Sequence, residues 1–405
     1  MEDATLVGRA VTCPLCKSGF TYCRPKSGTY KLLGRDSDYC PYYEGRNPLF
    51  YHVWVCPNCQ FAAYKEHFGQ VEPGKVHALK ETLTALVTAR ADFSRPERTM
   101  FVALQAYQVA LVCYQARAYP PEMIGQVALR LAWICRYGGQ AKRELDFLDQ
   151  ARQHLTEAYD KGIRTKGFID FQGLTYMVGE LNLRTGHLAK ATACFATLMR
   201  TKGLTDPMRV AGAARQDAAE AAETVGKRLE SVDVLEPLGS AGLGILAQRS
   251  RIRRVPKGEI LYEDGEPGGS LIVVVKGCCS LYRSGPGSRL ETVMEAGDSC
   301  SEQTLFTGEP RVGTLVAGPP DNREGPETVV AEIERADLHA VLRLFPKAAE
   351  GITARLNLAL EEAAAREWVR AAREAEAAPR RQERSIILDA VSSLFGNFAG
   401  AGVDD

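Results

Sequence analysis

The spacing of apolar residues changes twice along this chain, and each change marks a different architecture. Up to about residue 70 the apolar positions fall in short runs, with Thr21–Tyr22, Tyr30–Leu33 and Leu49–Val55 reading as strands. From about Lys75 to Arg228 they recur every three or four residues, the period of a helix with one buried face. Phe101, Leu104, Tyr107, Leu111 and Tyr114 define the first such face, and Pro120–Pro121 ends it. Further helices are predicted over Glu122–Tyr137, stopped by Gly138–Gly139, and over Lys142–Tyr159, Phe168–Arg184 and His187–Thr201, with Gly186 between the last two. From about Arg251 the short runs return, including Arg251–Val255 and Leu271–Val275, with Gly258, Gly265 and Gly277 placed where tight turns need them. Many short strands punctuated by Gly and Pro predict a jelly-roll-like barrel.

The pattern predicts a multidomain α+β chain: a β module over residues 1–74, a helical array over 75–232, a barrel over 233–345, and a C-terminal helix and tail over 346–405. Within the array, Tyr176–Arg200, with its turn at Gly186 and apolar Ala191 and Phe195, resembles a tetratricopeptide unit, although that consensus does not repeat cleanly. An array of helical hairpins offers a groove for a protein partner, whereas a plain bundle would only bridge the flanking domains. Cys113, Cys135 and Cys194 fall on apolar helix faces and read as core residues.

Cys13-Pro14-Leu15-Cys16 and Cys56-Pro57-Asn58-Cys59 supply four thiolates, the number a structural tetrahedral zinc site needs. The 39 residues between the pairs, 17–55, exceed the gap of about 15–20 in compact double-knuckle sites, so the β module is expected to be zinc-ribbon-like with an enlarged finger. Cys23 and Cys40 read as small buried side chains, although either, or less readily His52 or His67, could replace one ligand. A redox dithiol would need a thioredoxin-like setting that the pattern lacks. Four thiolates leave no open metal position; a zinc enzyme would need one, with His52 or His67 as a ligand.

The C-terminal barrel holds the other candidate chemistry. Gly297-Asp298-Ser299-Cys300-Ser301-Glu302 is followed nine residues after Glu302 by Arg311, in Pro310-Arg311-Val312-Gly313-Thr314. Glu302 can only accept hydrogen bonds, which suits sugar hydroxyls, and Arg311 offers a planar fork that matches two phosphate oxygens. Residues Gln303 to Thr307 are long enough for one helical turn whose amides could join Arg311 at the anion. The segment from about Val234 to Phe345 resembles the cyclic nucleotide-binding domain of catabolite activators, cyclic-nucleotide-dependent kinases and gated channels. That resemblance implies that Glu302 binds the ribose 2′-hydroxyl and Arg311 the cyclic phosphate, with Ser301, Gln303, Val312 and Gly313 around them. The family usually has glycine where Ser301 stands, so a backbone needing positive φ there would be strained by serine. Gly313, in place of a usual alanine, reads as a mild change, and Val312 lacks the hydroxyl often found there in cyclic-GMP binders, which leans the pocket toward cyclic AMP. The alternative is a ligand-free barrel in which Glu302 and Arg311 pair with each other.

The opening of the chain also resembles a bacterial family whose pattern is C-P-x-C, Arg-Asp-x-Asp, Asn-Pro-x-x-Tyr and C-P-x-C, here Cys13–Cys16, Arg35–Asp38, Asn47–Tyr51 and Cys56–Cys59. The resemblance covers about residues 9 to 220 and implies a fold arrangement without an activity. Arg35, Asp36 and Asp38 read either as a functional polar cluster or as a structural turn held by an ion pair.

Fifty basic residues balance fifty acidic ones, and no basic stripe suits nucleic acid. No long apolar span suits a membrane, and zinc-like cysteine pairs fit a reducing cytoplasm. After Pro346 one Ala/Glu/Arg-rich helix is expected to run to about Ala378, with a break at Pro379 and a short amphipathic stretch over Ile386–Phe398, too little for a DNA-reading domain. Ile352, Leu356, Leu360 and Ala363 form a seam that would suit a homodimer, although packing on its own barrel is the expected use. These readings converge on a cytoplasmic, non-enzymatic sensor that couples a cyclic mononucleotide to a protein partner, with a structural protein-interaction scaffold as the alternative.

Overall fold

The computed structural model of the chain describes residues 5–85, 91–162, 170–286, 288–320 and 327–358. They divide into two compact units, Met1–Ala219 and Glu220–Asp405.

The first unit begins with three antiparallel hairpins: β1 (Leu6–Thr12) with β2 (Gly19–Pro25), β3 (Tyr30–Arg35) with β4 (Pro41–Gly45), and β5 (Val53–Val55) with β6 (Ala62–Tyr64). The strand expected over Leu49–Val55 is confined to β5. Ahead of it Pro48–Tyr51 winds as a 3-10 helix, because the Asn47 side chain accepts from the Leu49 N–H and Pro48 sets φ without needing a partner. The helices follow as α1 (Lys65–Phe68), α2 (Val76–Ala85), α3 (Met100–Ala116), α4 (Pro121–Tyr137), α5 (Ala141–Asp160), α6 (Phe171–Arg184) and α7 (Leu188–Arg200), and α8 (Asp206–Leu229) begins in this unit and ends in the second. The predicted helix start at Phe168 lies outside the described residues; α6 itself is capped by Asp170, whose carboxylate accepts from the Gly173 N–H at 2.7 Å.

From α3 to α7 each helix packs on the next. Two glycines allow the closest approaches: a Cβ at Gly125 of α4 would lie 2.8 Å from Leu155 of α5, and one at Gly179 of α6 would lie 2.9 Å from Phe195 of α7. Phe101, expected on the buried face of α3, is 62% exposed. It sits in the first turn of that helix and borders an open groove of about 510 Å3 with Leu104 and Ile134. The β hairpins and the helices share one continuous core, from Leu6 and Val53 through Tyr107 and Leu131 to Leu181.

The second unit carries α9 (Gly239–Arg249), β7 (Arg251–Val255), β8 (Ile260–Tyr262), β9 (Ser270–Lys276), β10 (Cys278–Tyr282), β11 (Leu290–Glu295), β12 (Ser299–Cys300), α10 (Glu302–Thr307), β13 (Thr314–Ala317), β14 (Thr328–Glu334) and α11 (Arg335–Leu344). The strands form two four-stranded antiparallel sheets, ordered β11-β10-β13-β8 and β12-β9-β14-β7, around a core that includes Ile272, Val274, Cys279, Leu315 and Val330. β9 is buried at six consecutive positions, which explains its unbroken apolar sequence. Gly277 turns β9 into β10 at φ 77°, where a Cβ would meet the Glu327 carbonyl at 2.9 Å.

A further helical run covers residues 346–358. It packs on its own unit: Ile352 is buried, Gly351 lies close against Pro237, and Arg355 donates to the Asp233 carbonyl at 2.8 Å and pairs with Glu236. Leu360, Ala363, the helix extending to Ala378, Pro379, the stretch Ile386–Phe398 and residues 321–326 of the loop after β13 lie outside the described residues. Among those described, no helix is long and apolar enough to cross a membrane.

Candidate functional site

Each C-P-x-C stretch is the turn of a hairpin, the first between β1 and β2 and the second between β5 and β6. The two turns repeat one local geometry. The Cys13 and Cys56 N–H groups donate to the Ser18 and Phe61 carbonyls, both at 2.9 Å. Lys17 and Gln60 adopt left-handed φ values of 64° and 61° and donate back to the Cys13 and Cys56 carbonyls at 3.0 and 2.8 Å. The result gathers four sulfurs. Cys13 Sγ lies 3.6 Å from Cys59 Sγ, Cys16 Sγ lies 3.6 Å from Cys56 Sγ, and all four fall within 4.8 Å of one another. Sulfurs bound at about 2.3 Å to one tetrahedral ion stand about 3.8 Å apart, so this cage fits a four-coordinate metal. The Asn58 amide supports it by donating to Cys16 Sγ at 3.7 Å and Ser18 Oγ at 2.8 Å. Hydrogen bonds from Cys13 and Cys59 hold the Cys56 thiol far below its ordinary pKa, and contacts with Cys13 and Cys56 push Cys59 up. Cys23 and Cys40 lie outside the cage, Cys40 against the Tyr137 hydroxyl at 3.6 Å. His67 Nδ1 is 2.7 Å from the Tyr114 hydroxyl, and His52 lines a cleft.

The Arg-Asp-x-Asp turn is a buried ion network rather than an open site. Asp38 is fully buried and receives Arg136 Nη2 at 2.7 Å and Trp133 Nε1 at 3.1 Å, with Arg184 at 3.6 Å. Asp36 and Glu144 also pair with Arg136, at 2.6 and 2.7 Å. Ser37 donates to Glu180 at 2.6 Å, and Glu180, fully buried on α6, pairs with Arg184 and Arg215, both at 2.7 Å. Burial alone would raise the Asp38 pKa, but the Arg136 hydrogen bond and the Arg184 and Arg136 charges hold it below its ordinary value. Arg35 is exposed and takes no part in these pairs.

In the second unit α10 begins at Glu302, whose Oε1 accepts from the Ser299 hydroxyl at 2.6 Å. By helix geometry the first-turn amides of α10, including that of Gln303, have no intrahelical acceptor. Arg311 is fixed by its own backbone, its N–H on the Glu266 carbonyl at 2.8 Å and its carbonyl on the Gly265 N–H at 2.9 Å. The side chain is only 7% exposed, with its guanidinium carbon 4.4 Å from the centroid of the Tyr262 ring. Nη1 donates to Ser301 Oγ at 2.9 Å and Nη2 to Ser270 Oγ at 2.7 Å, and Ser270 in turn donates to Glu332 at 2.8 Å. Among the described residues Arg311 has no ion pair, so Glu302 and Arg311 do not neutralise each other.

Ser301 sits at φ 68°, the left-handed conformation in which serine is strained, and its hydroxyl covers one arm of the Arg311 fork. Gly313 is not the mild change expected. It lies at φ 80°, its N–H bonds Asp264 at 2.8 Å, and a Cβ would meet the Tyr282 carbonyl at 2.7 Å, so alanine does not fit this backbone. Val312 is 75% exposed.

Residues 6–221, more than half of the chain, match the family model described as "Uncharacterized protein conserved in bacteria (DUF2225)". The chain belongs to the DUF2225 family. Its DUF2225 region is followed by residues 252–344, which match the model described as "Cyclic nucleotide-binding domain". No curated protein matches the chain. Among solved structures, the regulatory domain of Toxoplasma gondii PKA with cAMP is 25% identical over 35% of this chain and 55% of its own, little more than half its length, with a TM-score of 0.27. The sensor domain of the transcriptional regulator DNR from Pseudomonas aeruginosa is 21% identical over 35% of this chain and 93% of its own, with a TM-score of 0.29. Thermus thermophilus catabolite activator protein is 20% identical over 40% and 79%, with a TM-score of 0.28. At these TM-scores the likenesses carry no weight of their own, and the assignment rests on the two family models.

Sequence reasoning missed several residues around the Arg311 side chain and α10 of this DUF2225 protein. Ser270 and Tyr262 hold Arg311 from other strands. Arg335, the first residue of α11, donates to the Leu305 and Thr304 carbonyls of α10, both at 2.7 Å. A lone serine ahead of an apolar strand or an arginine at a strand end carries no local signal of such a role.

Proposed function

We propose that this chain is a non-catalytic sensor whose barrel binds a cyclic mononucleotide and whose helical hairpins engage a protein partner. The observation that carries the reading is Arg311: a buried cation with both arms on neutral hydroxyls, nine residues from a glutamate that heads a short helix. A cyclic phosphate supplies the anion that this fork lacks, displacing the Ser301 hydroxyl and reaching the first-turn amides of α10. Glu302 then accepts from the ribose hydroxyl. Movement of α10 reaches α11 through the two Arg335 bonds, and the helix over 346–358 follows α11 directly. To act as a switch the ligand must favour one arrangement; a tenfold effect needs about 1.4 kcal/mol of differential affinity. Val312 offers no hydroxyl, which supports cyclic AMP over cyclic GMP.

In the first unit Cys13, Cys16, Cys56 and Cys59 would hold a structural Zn2+ that fixes the two hairpin turns against each other, since four thiolates fill a tetrahedral ion. A thiolate cage fits a reducing cytoplasm. The stack of hairpins from α3 to α7 offers the partner surface.

Calorimetric titration of the full chain with cyclic AMP and cyclic GMP tests the reading. Each charged hydrogen bond contributes about 1.5–3 kcal/mol, so Arg311→Ala should weaken binding more than about a hundredfold. An absence of binding up to millimolar nucleotide would sink the sensor. A second reading, a scaffold whose barrel takes no ligand, is favoured by the strained Ser301 and its hydroxyl on Arg311. It expects partner binding that is indifferent to nucleotide and to Arg311→Ala.

A further inference from the structure

A cleft of about 1190 Å3 opens in the first unit, walled by the β1–β2 hairpin, by β5 and β6 with the residues after them, and by the first half of α4. It exceeds the few hundred Å3 that a small ligand needs. Neither the cysteine cage nor the barrel cassette lines it.

Three features of its wall bear on the occupant. The first is charge. Register pairs Val7 with Arg24 and Arg9 with Tyr22, so both arginines stand on one face of the hairpin. Both are exposed, and among the described residues neither is in an ion pair. With Lys65 and Arg130 they give the lining four cations against two carboxylates, Glu66 and Glu122. The second is flatness. Tyr22 and Trp54 lie 4.6 Å apart between ring centroids, His67 and Tyr119 lie 5.4 Å apart, and the Arg130 guanidinium covers the Tyr64 ring at 5.4 Å. The third is unmet hydrogen bonding. Glu122 Oε2 is a buried atom with no hydrogen-bond partner. A carboxylate oxygen only accepts, so Glu122 calls for an N–H or O–H donor, and leaving it unmet is costly.

Exposed cations, aromatic side chains along the wall and an acceptor in want of a donor describe one kind of molecule. We infer that the cleft is a second ligand site, for a flat nitrogen heterocycle bearing a phosphate, the chemistry of a mononucleotide. The phosphate meets Arg9 and Arg24, the ring lies along the aromatic wall, and ring N–H groups donate to Glu122. The site is independent of the barrel and does not rest on its proposed ligand.

The test titrates the full chain with AMP, GMP, CMP and UMP, with inorganic phosphate as a separate arm. At least one nucleotide should bind at a single site, more tightly than phosphate. The double variant Arg9→Glu/Arg24→Glu should weaken it at least tenfold, and Arg311→Ala should leave it unchanged. Lys65→Glu, at another exposed position, should weaken it in the same direction, and unchanged thermal melts show that the variants fold. Four outcomes overturn the inference: no nucleotide binding up to millimolar concentration, phosphate binding as tightly as the best nucleotide, affinity that survives the charge reversals, or affinity lost with Arg311→Ala.

Discussion

Arg136 in the first unit and Arg311 in the second are both largely enclosed, yet their partners differ in kind. Arg136 meets three carboxylates, Asp36, Asp38 and Glu144, while Arg311 meets two serine hydroxyls and the face of a tyrosine. Removing a charge from water costs several kcal/mol and must be offset inside the protein. In the first unit the offset is complete and internal, so the Arg-Asp-x-Asp turn pins the β3–β4 hairpin to α4 and α6 and has nothing left for a ligand. In the barrel it is partial, reaching Glu332 only through Ser270, so an added anion gains the interaction that the fold withholds. Arg136 therefore serves as a bolt, whereas Arg311 keeps an interaction to offer an anion.

The largest effect expected is outside that contrast but sets its background. Chelation of the proposed zinc, or Cys56→Ser, should melt the first unit as read by circular dichroism and hydrogen exchange, since zinc contributes about 10–16 kcal/mol in finger peptides. The barrel should keep its exchange protection. Next, Asp38→Ala leaves Arg136 with Asp36 and Glu144 and Arg184 with Glu180, but removes the buried acceptor of Trp133 Nε1 and should cost about 1–3 kcal/mol in denaturant unfolding, leaving nucleotide affinity unchanged. Arg311→Ala should show the reverse pattern, with the larger loss in binding.

Acid should separate the two regions in the same way. The folded Asp38 pKa lies below its unfolded value of about 3.9, so its stabilisation is present above that pH and is lost as pH falls through the folded pKa. Thermal melts should therefore show the first unit weakening below about pH 4, and Asp38→Asn should flatten that dependence. The smallest effect belongs to Ser301→Gly. Relief of about 1 kcal/mol of left-handed strain is offset by loss of the hydroxyl on Arg311, so stability should change by less than about 1 kcal/mol. Cyclic nucleotide affinity should rise several-fold because the fork is uncovered; unchanged or weaker binding would show that the hydroxyl is not in the way.

What could be read in the sequence was local. Each cysteine turn closes within six residues, so spacing carried its geometry, whereas the Glu302–Arg311 cassette, ten residues long, was legible through its resemblance to the cyclic nucleotide-binding domain. The φ of Ser301 was legible for the same reason, as a departure at one position of a known turn. Partners distant in sequence were not legible. Arg136 and Arg184 reach Asp38 from about 100 and 150 positions away, and nothing in Arg35–Asp38 tells a bolt from a site. The same holds for Ser270 and Tyr262 beneath Arg311. Two local readings failed for backbone reasons: Asn47–Pro48 bent a stretch of strand-like composition into a 3-10 turn, and Gly313 proved to need a conformation that its family alternative cannot adopt.

Trp133 has its indole nitrogen tied to the Asp38 carboxylate and only 6% of its surface exposed. The molecule thus carries a native fluorophore wired to the acid that fastens its first unit. Protonation or loosening at that point should alter the emission of Trp133, giving an optical gauge of the fastening without any added label.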